Sequence, residues 1–338
     1  MEYFRPILHQ SGPRPKAAAQ LGWCWFDRVE VLSRSRKPQI ISVHETPAAV
    51  LANITGKRAD IAGLALDRPK VMGILNVTPD SFSDGGLFNA PDAAIAQAQA
   101  MVAAGADIID IGGESTRPGA KTVDNADEIS RTAPVIAAIR KASDVAMSID
   151  TRKSDVATAA LDAGATLVND VAAMSFDAGM AKSVADNNAP ICLMHAQGDP
   201  ATMQQDPQYD DVLLDVYDFL AARIEIAVNA GIDRLQIMVD PGIGFGKTQA
   251  HNLTLLRGLS LFHGLGCPIL LGASRKRFIG DIGHAPAAHD RVGGSVAVAL
   301  GGIAQGAQMV RVHDVFETKQ AIDLHFAVTS MGLTEHGT

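Results

Sequence analysis

Residues 71–86 read VMGILNVTPDSFSDGG. The first five, Val71-Met72-Gly73-Ile74-Leu75, carry no charge and no polar side chain, the pattern of a strand buried on both faces. At Asn76 the character changes abruptly. Thr78-Pro79-Asp80-Ser81-Phe82-Ser83-Asp84-Gly85-Gly86 is too rich in turn formers to continue as strand or helix. An apolar strand that delivers a polar loop from its carboxyl end is the way an α/β barrel presents chemistry.

Working outward, the pattern recurs. Apolar residues 108–113 (IIDIGG) run into Glu114-Ser115-Thr116-Arg117-Pro118-Gly119, residues 146–149 into Asp150-Thr151-Arg152, and Leu167-Val168 into Asn169-Asp170. Residues 191–194 end at His195, 237–239 at Asp240-Pro241-Gly242, 269–271 at Gly272-Ala273-Ser274-Arg275-Lys276, and 309–312 at His313-Asp314. With the first stretch these make eight strands. Helical patterns fill the intervals: 91–105 with a buried stripe of Ile95, Ala98 and Val102, then 127–142, 154–163, 177–187, 211–230, 252–259 and 291–306. Gly105, Gly164 and Gly231 stop helices a few residues before the next strand. Eight alternations of β and α with parallel strands predict a (β/α)8 TIM barrel.

Residues 1–66 differ from the remainder. Trp23 and Trp25 stand at strand spacing with Val29 and Val31 continuing the alternation, 39–43 is a second strand, and 46–53 reads as a helix with Thr46 as N-cap and Pro47 at its first position. We expect residues 1–66 to form a small N-terminal α+β appendage packed on the barrel, with 55–67 as connector, and residues 67–338 to form the barrel. The 338-residue chain is 47% hydrophobic, ample for a large core, and carries a net charge of −8. That charge, with a pI near 5.6, argues against nucleic acid as the main partner. Cys24, Cys192 and Cys267 lack metal spacing and make no disulfide framework. No run of 18 apolar residues offers a membrane span, and the first residues lack the apolar core of a signal peptide. The expected setting is cytoplasmic.

Two motifs are excluded on spacing. Residues 242–248, GIGFGKT, resemble the end of a phosphate-binding P-loop, but Pro241 stands where that loop needs its first glycine, and the third glycine is misplaced for a dinucleotide fingerprint. No His-x-His pair exists for a barrel metal hydrolase. The strand ends themselves suggest a site. Asp150, Asn169 and Asp240 close three different strands, and two acids with an amide in one apolar mouth suit a planar, nitrogen-rich ring, because a carboxylate accepts parallel N–H bonds from an amino-pyrimidine edge. Arg311 and His313, two apart on the last strand, share a face. Ser274-Arg275-Lys276-Arg277 reads as a helix start combining dipole and cations, an anion site. Asn76 offers an oxygen to a hard cation, Mg2+ held partly by substrate phosphates.

Several of these stretches carry a family resemblance. GILNVTPDSFSDGG (73–86), DIGGESTRPGA (110–120), SIDTRK (148–153), VNDV (168–171), MHAQG (194–198), DPGIGFGK (240–247), GASRKRFIG (272–280) and RVHDV (311–315) resemble, in order, the motifs of bacterial dihydropteroate synthases, pterin-binding TIM barrels. The resemblance covers residues 70–325 and leaves the N-terminal segment unexplained. It implies condensation of 6-hydroxymethyl-7,8-dihydropterin pyrophosphate with p-aminobenzoate in folate biosynthesis, the step that sulfonamides target. By resemblance, Asp150, Asn169, Asp240 and Lys276 hold the pterin with Met194 packed on it. Asn76, Arg311 and His313, helped by Thr116, hold the pyrophosphate and Mg2+. Phe82, Arg117, Pro118, Phe245, Lys276 and Ser274 form the aminobenzoate pocket, and Asp84 faces the reacting centre. The loops after the first two strands close over the site. The family also implies a homodimer. Arg277 departs from the family, which often has Ser there near the aminobenzoate carboxylate. Two other readings share the pterin residues: a barrel transferring a methyl group from a folate to a corrinoid, which would not need Arg117, the Ser-Arg-Lys segment or the first loop, and a paralogue without catalysis, expected to show decay in the first two loops.

Overall fold

The computed structural model describes residues 1–77, 90–115, 122–198 and 202–329. The chain opens with strands β1 (Tyr3–Pro6), β2 (Ala19–Leu21), β3 (Cys24–Phe26), β4 (Arg28–Leu32) and β5 (Gln39–Ser42), then helix α1 (Ala48–Thr55). β1, β4 and β5 pair antiparallel with β4 central, and β2–β3 is a separate two-stranded ribbon. Cys24, Phe26 and Val29 are fully buried, whereas the tryptophans lie half-buried on the opposite side of the ribbon. An indole N–H needs an acceptor, and Trp23 finds one in the Ile303 carbonyl (2.9 Å) on an outer barrel helix, with its ring edge-on to Phe326. Trp25 stacks on His9. The start of α1 also differs from expectation. Ser42 and Glu45 form a capping box around a 3-10 turn at Val43–Glu45, so Thr46 ends that turn and Pro47 precedes α1.

Eight parallel strands follow: β6 (Lys70–Asn76), β7 (Ile108–Gly112), β8 (Ala146–Asp150), β9 (Leu167–Asp170), β10 (Ile191–Met194), β11 (Ile237–Asp240), β12 (Leu270–Leu271) and β13 (Met309–Val312). They pair in chain order, β13 pairs with β6, and a parallel bridge from Val239 to Ile269 closes the ring beside β12. Helices alternate with them: α2 (Ala90–Ala103), α3 (Asn125–Ala142), α4 (Ser154–Asp162), α5 (Met180–Asp186), α6 (Val212–Asn229), α7 (Gln249–Arg257), α8 (Arg277–Gly283), α9 (Val292–Ala304) and α10 (Val315–Thr329). This is the expected (β/α)8 barrel. On α2 the buried stripe is Ala94, Ala98 and Met101, while Val102 is exposed. Small alanines let the helix sit close to the sheet, which turns Val102 outward.

The strand interior explains the site. Met72, Ile108, Ala146, Leu167, Cys192, Met238, Leu270 and Met309, one from each strand, pack into a single apolar cluster with Ile61 and Leu66. The segment expected as a connector therefore plugs the barrel. Side chains alternate along a strand, so the residue two places further on faces the same interior. Those residues include Asp110, Ser148, Asn169, Met194, Asp240 and Arg311. The barrel is dry at its base and polar one layer higher, towards the carboxyl ends.

Candidate active site

Asp110 is the centre of this polar layer. It is fully buried, and its strand register sets Ser148 directly opposite on β8. Ser148 Oγ donates to Asp110 Oδ1 at 2.5 Å, and Asn169 Nδ2 approaches both carboxylate oxygens at 3.3–3.4 Å. Arg311 donates through Nε to Asp110 Oδ2 (2.5 Å) and through Nη2 to Asp150 Oδ2 (2.7 Å). Asp150 Oδ1 is buried with no partner among the described residues. An unpaired buried carboxylate oxygen is costly unless something donates to it. Burial pushes the Asp150 carboxyl up, opposed by Arg311 and reinforced by Asp110.

Across the mouth, Asp240 accepts from the Gly242 N–H (2.7 Å) and is pushed up to about 6 by burial, against that hydrogen bond and the charges of Lys276, Arg311 and Lys247. A side chain at Gly272 would meet Asp240 Oδ2 at 3.4 Å, so glycine there leaves the carboxylate room. Met194 is buried in register with Asp240. Lys276 Nζ lies 4.0 Å from the centre of the Phe245 ring, a cation–π contact. Ser274 Oγ lies 3.1 Å from His313 Nδ1 and accepts from the His313 N–H. Asn76 ends β6, and its amide makes no hydrogen bond among the described residues. Within those residues there is no cluster of three His, Cys, Asp or Glu that would hold a metal unaided.

Two expectations change. The Ser274-Arg275-Lys276-Arg277 segment is not a three-cation anion site. Arg275 adopts a left-handed backbone (φ 58°) that sends its guanidinium to Asp314 through Nε (3.0 Å) and Nη2. Arg277 stands in solvent beside Asp281, and α8 begins after Lys276, which lacks a side-chain cap. Of the three cations only Lys276 joins the mouth. Arg311 and His313 also part company, one bonded to two acids and the other to Ser274. The structure thus brings together Asp150, Asn169, Met194, Asp240, Phe245, Ser274, Lys276, Arg311 and His313, with Asn76 on the rim. Phe82, Asp84, Thr116, Arg117 and Pro118 lie outside the described residues.

Sequence reasoning missed Asp110. The available signal was a lone charge inside the apolar run IIDIGG, since a fully buried carboxylate demands partners. It also missed a second buried network below the loop after β7. Lys153 Nζ donates to Glu128 Oε2 (2.6 Å) and the Val123 carbonyl (2.5 Å), and lies 3.4 Å from Glu114. Arg152 donates to Glu114 (3.1 Å), which in turn accepts from the Val123 N–H (2.9 Å).

Comparison with known proteins agrees with this geometry. The family described as pterin binding enzyme matches residues 72–313. The dihydropteroate synthase of Synechocystis sp. is 50% identical over 248 residues, covering 73% of this chain and 86% of that one. Among solved structures, Xanthomonas albilineans dihydropteroate synthase with 4-aminobenzoic acid superposes with a TM-score of 0.76 at 46% identity, covering 81% of this chain and 98% of that one. The same enzyme in complex with 7,8-dihydropteroate gives 0.72 at 42% identity, over 79% and 96%. With the matched region spanning the whole barrel and the polar layer within it, the chain belongs to the pterin-binding enzyme family, among its dihydropteroate synthases.

Proposed function

We propose that the chain condenses 6-hydroxymethyl-7,8-dihydropterin pyrophosphate with p-aminobenzoate, giving 7,8-dihydropteroate and pyrophosphate. The observation that carries the reading is Asp150 in register with Asn169 on neighbouring strands and Asp240 at the end of β11, with Asp150 Oδ1 buried and lacking a donor among the described residues. A 2-amino-pyrimidine edge supplies N–H donors to such carboxylates. Asn169, both donor and acceptor, reads the ring's other polar edge, and Met194 packs on its face. Lys276, held over Phe245, lies between the pterin slot and the aminobenzoate pocket, to which we assign Ser274 and Phe245 and, by the family resemblance, Phe82, Arg117 and Pro118.

The reaction breaks the bond from the pterin's exocyclic carbon to the pyrophosphate oxygen, and the electron pair leaves with pyrophosphate. The carbon left behind is a cation conjugated with the ring. The aminobenzoate nitrogen supplies the new bond's electrons and then loses a proton. A neutral aniline needs positioning more than deprotonation. Arg311, His313 and Thr116 donate to the departing oxygens, where negative charge accumulates. Arg311 Nη1 makes no bond among the described residues, so it remains for this task while Nε and Nη2 hold the acids. The family resemblance assigns Asp84 to the reacting centre.

Mg2+ fits the mouth only in one form. A single amide oxygen at Asn76, with no three-ligand cluster among the described residues, suits a cation completed by substrate phosphates. Held there, it would neutralise charge on the pyrophosphate. The further reading is a cytoplasmic homodimer. All three cysteines are free and buried, as in a reducing compartment, and no helix among the described residues is long and apolar enough to cross a membrane. Phe316, Leu324 and Val328 stand exposed on α10, apolar surface that a second copy can cover. We take residues 1–66 as a structural appendage whose Ile61 and Leu66 reach into the base of the barrel, and the residues from 67 onward as the catalytic barrel. The deciding experiment is pyrophosphate release from the two substrates, with 7,8-dihydropteroate identified as co-product. No release, or release without aminobenzoate incorporation, would refute the assignment.

A further inference from the structure

The stretch that imitates a P-loop, residues 240–247, has a different purpose in this fold. Gly242, Gly244 and Gly246 all adopt left-handed backbone (φ 68°, 83° and 60°). A Cβ on Gly242 would lie 1.8 Å from the His195 carbonyl oxygen, and one on Gly246 2.4 Å from that of Gln197. Backbone is therefore pressed on backbone at the end of β10. At the end of this stretch stands Lys247, only 3% exposed. Its Nζ donates to His195 Nδ1 (2.9 Å), the His195 carbonyl (3.3 Å) and the Phe245 carbonyl (3.0 Å). An ammonium has three N–H donors, and here all three have acceptors. His195 accepts at Nδ1, which puts its proton on Nε2. Burial, then the charge of Lys247, pulls it down to about 2, so it stays neutral.

We propose that Lys247 is a positioning residue for the pterin slot: through its bonds to His195 and Phe245 it pins the loop of residues 241–246 to the end of β10, and it sets a buried cation at the foot of the loop that Asp240 opens. The loop it pins carries Gly244, against which the stem of Lys276 lies (3.1 Å from a built Cβ), and Phe245, whose ring receives the Lys276 ammonium. One buried amine thereby sets two groups of the slot. The charged and titratable groups that face it are Asp240, Lys276, His195 and His251, with the Tyr209 hydroxyl bonded to the Gly246 carbonyl. Asp240 in turn faces Lys276, Arg311 and Cys192. Burial pulls Lys247 down to about 7, partly offset by Asp240. Its charge is therefore present in the range where Asp240, at about 6, titrates.

This rests on the reading that Asp240 binds the pterin. The test is calorimetric titration of the full chain with 6-hydroxymethylpterin between pH 5.5 and 8, for wild type, Lys247→Met and Asp240→Asn. Removing the cation raises the Asp240 pKa, so in Lys247→Met the acid limb of binding should move up by about one pH unit, with about fivefold weaker binding near pH 6 and little change near pH 8. A limb that stays in place while only the melting temperature falls overturns the proposal. If Lys247→Met does not fold, His195→Asn and His195→Leu replace it. Asn keeps an acceptor near Nδ1 and should match wild type, whereas Leu removes it and should move the limb upward; no difference between them also overturns the proposal. Any limb left in Asp240→Asn belongs to Asp150 and should not respond to Lys247. Unchanged pterin affinity in Asp240→Asn instead defeats the slot reading itself.

Discussion

Asp110→Asn is the substitution that tests the polar layer most directly. The carboxylate serves three donors: Arg311 Nε, Ser148 Oγ and Asn169 Nδ2. Asn offers one acceptor oxygen and turns an N–H donor towards whichever partner meets its other end. Ser148 Oγ can rotate to accept that N–H, so what is lost for certain is the negative charge facing Arg311 at a fully buried position. Arg311 still has Asp150, so the loss falls short of a fully orphaned buried charge and is set by one charge-assisted hydrogen bond, about 1.5–3 kcal/mol. The functional consequence follows from where the guanidinium goes. Freed at Nε, Arg311 can pair with both oxygens of Asp150 and so occupy Oδ1, the acceptor that awaits the pterin. Pterin affinity should drop by the same about 1.5–3 kcal/mol, roughly 10- to 150-fold. Calorimetric titration with 6-hydroxymethylpterin reads this, alongside urea denaturation to confirm the fold. Reduced stability with unaltered pterin affinity would refute the reasoning, because Arg311 would then keep its place without Asp110.

Other outcomes follow from burial and charge. Burial raises Asp240 from 3.8 to about 6, so between those values the folded protein holds a proton that the unfolded chain has released. This carboxyl's contribution to stability therefore declines as pH rises through that window, while pterin affinity climbs through about pH 6; urea midpoints and pterin titrations at matched pH check both signs. Lys153→Met should cost about 3–5 kcal/mol, since it strips the partner from Glu128, which is fully buried and already has Oε1 unpaired. Chemical denaturation measures the loss, and a change under 1 kcal/mol would mean solvent reaches Glu128. Deleting residues 1–45 removes the Trp23 and Arg34 contacts to outer helices but spares the Ile61 and Leu66 plug. The melting temperature should fall with both Michaelis constants nearly unchanged; a large rise in either at normal stability would place the appendage at the active site.

How much of this was legible in the sequence depended on periodicity. The eight strands announced themselves because both faces of a barrel strand are buried and each run breaks into polar residues at its carboxyl end. Asp150, Asn169 and Asp240 stood at those breaks and lie at the carboxyl ends of β8, β9 and β11. Asp110 did not, because it lies inside a run, two places below the break. Its meaning comes from the register that sets it against Ser148, a relation between strands 38 residues apart. The plug was hidden for the same reason, since nothing local marks Ile61 and Leu66 as barrel contents. In the N-terminal segment the alternation was legible, and Trp23 packs on the barrel helices, where its N–H finds an acceptor in the Ile303 carbonyl.

The cationic residues show why adjacency in sequence overstates an anion site. Arg275, Lys276 and Arg277 are consecutive, but one left-handed residue at Arg275 distributes them to Asp314, the mouth and solvent. Arg311 and His313 are two apart on one strand, but Arg311 enters a layer that already holds two carboxylates. A guanidinium bonded to Asp110 and Asp150 adds directed N–H donors without adding net positive charge to its surroundings. On the proposed reaction, net charge leaving with pyrophosphate must then be met by His313 and by a cation at Asn76, while Arg311 contributes directed donors. On that reading Arg311 instead links the pterin and pyrophosphate subsites of one substrate, because the acids that hold it belong to the layer proposed to receive the pterin. A change at Asp110 or Asp150 should therefore disturb pterin binding and pyrophosphate departure together, whereas a change at His313 should disturb the second alone.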